Sequence, residues 1–136
     1  MAIYAKITIK KSGAKKEYIA LLNTGAGLKP LPTGDTLTIP FIIVPPEVIE
    51  EIDNINFKEL SRVGEYYMVE DMYTVCLHDP NDRTIVCKEC YIFVRPGENR
   101  ILLSFEFLGA ADIIIDPKRR CWIYRPEGKE IDDFLK

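Results

Sequence analysis

The stretch Leu21-Leu22-Asn23-Thr24-Gly25-Ala26 gathers the residue types most able to do chemistry. An apolar run stops at an amide, a hydroxyl and two small residues. A buried strand that ends this way delivers polar side chains to one tight turn, and a glycine there lets other backbone come close. A carboxylate at position 23 would be a candidate general base. Asn23 keeps nearly the same shape and hydrogen-bonding capacity but does not ionise near neutral pH. Taken alone, the triplet is an ordinary turn, since Asn and Gly both suit turns.

The remaining candidates carry less. Cys87-Lys88-Glu89-Cys90 has CxxC spacing, yet no second such pair accompanies it and His78 is the sole histidine, so no metal or other cofactor is expected. A disulfide is the better alternative: a two-residue turn at Asn81-Asp82 would set Cys76 opposite Cys87. Such bridges are unusual in mesophilic cytosol. The default reading of Cys76, Cys87, Cys90 and Cys121 is therefore four buried, reduced thiols acting as small hydrophobes. Asp112 and Asp116, near Glu106, form the other acidic group; they read as a strand start and a turn, with no catalytic role.

The elements that must position these residues are mostly strands. Ile3, Ala5, Ile7 and Ile9 alternate with Tyr4, Lys6, Thr8 and Lys10, the pattern of a half-buried strand. A turn at Ser12-Gly13-Ala14 returns the chain as Glu17 to Leu22, so a hairpin delivers Asn23 at its end. Lys29 to Gly34 reads as a loop and Thr36 to Val44 as a buried strand. Pro45-Pro46-Glu47 opens a short helix ending by Asn54, with proline and acid at its positive end. Strands then follow at Phe57 to Val63, Tyr66 to Met72, Tyr73 to Leu77, Thr84 to Val94, Ile101 to Leu103, Ile113 to Ile115 and Cys121 to Tyr124. Phe105 to Ala110 reads as a short helix or turn. The expected fold is all-β, a closed barrel with one short helix, as a single domain over 1–124 and a polar, partly loose tail over 125–136.

Composition sets the outer limits. The 136 residues, 47% of them hydrophobic, suffice for one core and are short for two. With a net charge of -3 and only short basic patches, there is no nucleic-acid footprint. No segment reads as a membrane span or a signal peptide, so a cytoplasmic location and no membrane partner are expected. The absence of Gln beside plentiful Ile, Lys and Glu leans toward a thermophile.

Taken together, several segments resemble the retropepsin family, the retroviral-type aspartic proteases. Leu21 to Ala26 is similar to their apolar strand followed by Asp-Thr-Gly and a small residue. Ile43-Val44-Pro45-Pro46-Glu47 with its helix resembles a segment that follows the catalytic turn in cellular and prokaryotic relatives. Ile101-Leu102-Leu103-Ser104-Phe105-Glu106-Phe107-Leu108 resembles the second signature, and Asp112 to Asp116 with a final aromatic strand resembles the closing segment. The likeness runs from about Tyr18 to Tyr124 in the family's order.

The resemblance implies an endopeptidase working as a homodimer on a polypeptide, each chain supplying one carboxylate of a pair that shares a proton and activates water. Position 23 would be that carboxylate, Thr24 the brace between the two turns and Gly25 the close-approach residue. A flap from about Leu60 to Tyr73, with Gly64 near its tip, would cover the substrate; Ala26, Gly64, Tyr66, Tyr67 and also Tyr73 would line the groove. The first strand or the strand Cys121 to Tyr124 would pair between subunits. Two departures stand out: Asn23 replaces the catalytic Asp, and Ser104 replaces a glycine. Lys29 to Pro40 reads as an insertion. The preferred reading of Asn23 is an inactivated form of a working enzyme. The alternative is a non-catalytic peptide- or protein-binding module on the same fold.

Overall fold

The structure is a computed structural model that describes residues 2–22 and 39–136. It is a β-structure built from eleven strands and two short helices among the described residues. The first hairpin pairs β1 (Tyr4–Lys11) with β2 (Ala14–Leu22) through a two-residue turn at Ser12 and Gly13, both at positive φ. That backbone matches the twist of the flanking strands. Ile3, Ala5, Ile7 and Ile9 face the core, as their alternation predicts, but Thr8 on the other face is buried too.

β3 (Phe41–Val44) leads into α1 (Pro46–Asp53), which buries Val48, Ile49 and Ile52. A left-handed Asn54 ends the helix, its N–H donating to Glu50 O. Residues Phe57–Glu59, expected to start a strand, form a 3-10 turn capped by Asn56, whose side chain accepts from Lys58 N. An asparagine at this position competes with extended pairing. The predicted hairpin follows as β4 (Ser61–Val63) and β5 (Tyr66–Met68), shorter than expected. Then come β6 (Tyr73–His78), β7 (Thr84–Val94), β8 (Ile101–Leu103) and α2 (Phe105–Ala110). Among the described residues there are thus two short α-helices: the one expected, and the segment Phe105 to Ala110 read as a short helix or turn.

Strands β3, β8, β2, β1, β6 and β7 pair in that order, and β3 pairs back onto β7, closing a six-stranded barrel. The β4–β5 hairpin hangs from β7, with Tyr67 opposite Val94. Closure removes free edges from most of the sheet. Inside sit the apolar residues of β1, β2, β6 and β7, with α1 and α2 packed against them.

A second sheet is a meander of β9 (Ile113–Asp116), β10 (Cys121–Tyr124) and β11 (Lys129–Asp132). The segment 125–136, read from its polarity as a loose tail, contains β11. Ile131 and Asp133 are buried, and Asp133 accepts a hydrogen bond from Tyr4 N at 2.9 Å. Strand content was hidden because a single inward residue, Ile131, anchors it. The central β10 carries the wholly buried Trp122.

The cysteines depart from the all-thiol reading. Cys76 and Cys87 face each other across β6 and β7 and form a disulfide. A bulge at Leu77/His78 and a loop capped by Asp79 set that register, in place of a simple two-residue turn. Cys90 and Cys121 are buried thiols. Residues three apart on a strand lie on opposite faces. Cys87 accordingly points outward into the bridge, while Cys90 points into the core, where burial pushes its thiol up to about 12.

Candidate active site

Strands β2 and β8 run parallel and side by side, with Ala20, Leu21 and Leu22 opposite Ile101, Leu102 and Leu103. Both end together. The chain leaves β2 at Leu22, directly before the candidate turn, and leaves β8 into the first turn of α2. Asn23, Thr24, Gly25 and Ala26 lie outside the described residues, as does most of the Lys29 to Pro40 insertion.

Ser104 occupies the junction between β8 and α2, and its side chain is completely buried. Its Oγ donates to Phe41 O at 2.5 Å and accepts from Phe107 N at 3.0 Å. Its own N–H also donates to Phe41 O, at 3.3 Å. One hydroxyl therefore caps α2 and ties the end of β8 to the start of β3. The Ser104 side chain is thus part of the frame where β2 and β8 end. The signal was available in the sequence, since a serine just before Phe105-Glu106-Phe107-Leu108 is an N-cap pattern. Glu106, in that same first turn, buries its Oε2 with no hydrogen-bond partner among the described residues.

Outside the barrel, an apolar floor joins the strand ends to the hairpin. Phe41, Ile43, Phe93 and Leu102 are buried there, with Leu21, Tyr66, Met68 and Tyr91 packed around them. Phe93 meets Phe41 edge-on at 5.3 Å between ring centroids and Tyr66 at 6.0 Å. Such pairs are favoured by the ring quadrupoles. The floor thus extends from Leu21, two residues before Asn23, to the base of the hairpin.

The predicted groove residues separate. Gly64 takes a left-handed φ of 64° in the two-residue turn between Val63 and Tyr66, and its carbonyl accepts from Arg62 Nε. Tyr66 lies on the apolar floor, with the Arg95 guanidinium 5.9 Å from its ring. Burial raises its hydroxyl pKa, with Arg95 opposing. Tyr67, the next residue on the strand, points to the other face and packs against Phe57 at 5.1 Å. Tyr73 is not a groove residue. It is wholly buried in the main core, and its hydroxyl donates to Asp53. Strand alternation explains the split: the reading from aromatic content ignored which face each ring takes.

His78 is engaged away from this region. Its Nε2 meets Thr8 Oγ1 at 3.0 Å and its Nδ1 meets Thr84 Oγ1 at 3.1 Å, and burial holds its pKa below the usual value. Two strands proposed for pairing between subunits are occupied within the chain. β1 is flanked by β2 and β6, and β10 by β9 and β11. No described helix is long and apolar enough to cross a membrane. No protein-family model matches the chain, and a search of the curated proteins finds no match.

Proposed function

We propose that this chain is one half of an aspartic endopeptidase of retropepsin type, acting on polypeptides as a homodimer and carrying Asn23 where the catalytic carboxylate belongs. The observation that carries the reading is the parallel pair β2–β8, ending in register at Leu22 and Leu103, with an apolar floor running from it to a hairpin. β8, Ser104 and the first turn of α2 lie beside the end of β2, where the candidate turn begins. The floor can accept the side chains of an extended peptide, and the hairpin offers a cover with Gly64 at its bend.

In the working form, two aspartates at position 23, one from each subunit, would share one proton because like charges at close range do not both ionise. The ionised member would take a proton from water as it attacks the peptide carbonyl, and the other would protonate the departing nitrogen. Asn23 removes both roles in both subunits at once. The chain as it stands would bind peptide without cutting it.

The test is Asn23→Asp, assayed on a reduced, carboxymethylated protein between about pH 3 and 7, the range over which carboxylates titrate. Cleavage with a bell-shaped pH profile is expected. No cleavage, with a folded dimer, would reject the enzyme and leave the binding module. A monomer at micromolar concentration would count against both the paired site and the family reading.

A further inference from the structure

We infer that the outer edge of β2 between Lys15 and Ile19 is a docking site for an extended polypeptide, which adds as a strand and alternates apolar and basic side chains. The inference is independent of proteolysis, because binding is read on the chain with Asn23 in place.

The edge follows from the ladder. Leu22 N donates to Ile3 O. In an antiparallel pair, residues alternate between those that bond to the partner strand and those that do not. Counting back, Ala20, Tyr18, Lys16 and Ala14 turn their N–H and C=O groups to β1. Lys15, Glu17, Ile19 and Leu21 therefore turn theirs to the other side. β8 covers that side only along Ala20 to Leu22. The parallel register of Ala20 with Ile101 engages the Ile19 carbonyl with the Ile101 N–H, and among the described residues no strand pairs with Lys15 or Glu17 on that side. Three outward N–H groups and the C=O groups of Lys15 and Glu17 are thus without a strand partner among the described residues, over about 15 Å at roughly 3.3 Å per residue.

The chemistry of the occupant follows from the walls. A cleft of about 420 Å³ lies against the Ile19 end of the edge, bounded by β2, the first half of α1 and Arg100. On its outer side are Ile19, Leu21 and Leu135; Ile19 is 39% exposed and Leu135 58%. On its α1 side stand Glu47 and Glu51, Glu51 also accepting from the Tyr18 hydroxyl at 2.7 Å. Arg100 is held by Glu98 at 3.2 Å. A strand added to this edge places alternate side chains on opposite faces. One set meets the apolar side and the other meets two carboxylates, so apolar and basic residues in alternation fit. Main-chain bonds supply affinity and the walls supply selectivity.

The experiment uses the isotope-labelled chain and a capped hexapeptide alternating valine and lysine. Binding should slow amide exchange at Lys15, Glu17 and Ile19 at least tenfold, leaving Lys16 and Tyr18 as they were. Glu17→Pro deletes one outward N–H and no bond to β1, so it should weaken binding about tenfold. Glu17→Ala keeps the N–H and should bind like the parent. Glu47→Lys with Glu51→Lys should transfer preference to a valine–glutamate hexapeptide. Equal binding by Glu17→Pro with an unchanged melting temperature, or protection confined to β4 or β9, would overturn the proposal. So would no peptide-dependent protection, or protection that depends on chain concentration alone, which would mark the edge as a contact between copies.

Discussion

Replacing Ser104 tests the frame that is meant to hold the candidate turn. Ser104→Ala removes a hydroxyl that both donates to Phe41 O and accepts from Phe107 N, in a position with no exposed surface. Losing an N-cap costs about 0.5–2 kcal/mol, and leaving a buried N–H unpaired costs about 1–3 kcal/mol. These describe largely the same loss, so they do not add; about 2 kcal/mol is expected. Phe41 O keeps the Ser104 N–H and adds little to the cost. For a chain of this size the melting temperature should fall by roughly 6–10 °C. Glycine at an exposed cap costs only a few tenths of a kcal/mol, because water replaces the hydroxyl. Here water has no access, so Ser104→Gly should be as damaging as Ser104→Ala. Urea denaturation with unchanged slope would report the loss as native-state stability. Either variant within about 0.5 kcal/mol of the parent would refute the buried-cap argument, since that is the range of an inert substitution.

Other outcomes follow from the geometry. Denatured without reductant, the chain should titrate two thiols, Cys90 and Cys121, and four after reduction. Opening the bridge, which spans a separation of 11 residues, should lower stability by about 3 kcal/mol on the chain-entropy estimate. Tyr67→Ala should destabilise by about 1–2 kcal/mol through loss of its half-buried packing on Phe57. Tyr66→Ala in the Asn23→Asp background should instead raise KM, and an unchanged KM would remove Tyr66 from the groove. The hydrogen bond from Tyr73, then Lys11, holds the Asp53 carboxyl below its usual pKa. Its folded value is depressed, so its stabilisation is present above about pH 4 and is lost as pH falls through the folded value. Asp53→Asn should flatten the urea midpoint against pH below that point, and an unaltered acid limb would contradict this.

Much of the barrel was readable because its strands obey simple alternation. Ile3 to Ile9 and the hairpin at Ser12-Gly13 were legible from period and turn chemistry, and so was α1 from its proline and apolar stripe. The misses have physical reasons. β11 holds one inward apolar side chain in a charged segment, too little for a period to register. Phe57 to Glu59 has strand-like residues, but the Asn56 side chain diverts the backbone. Tyr66 and Tyr67 could not be assigned to faces without the pairing of β5 on β7. The pairing of Cys76 with Cys87 was legible from the turn between them, but the bulge at Leu77/His78 was not, and mesophilic redox chemistry favoured free thiols over the bridge. At the candidate site, apolar runs foretold where β2 and β8 would end. The Ser104 cap was legible from its position before α2, but the parallel adjacency of the two strands and the tie from Ser104 to Phe41 O came only from tertiary pairing.

The order of strands around the barrel has a consequence for how the chain is made. β8 must slip between β2 and β3, two segments synthesised long before it, and Asp133 must reach back to Tyr4. A growing chain therefore leaves the ribosome with adhesive borders on β2 and β3 that nothing local can seal. Acquisition of structure should be late and slow, as for topologies dominated by distant pairings. Ribosome-bound fragments ending before Ile101 should clump or recruit chaperones, whereas those extending past Lys136 should not.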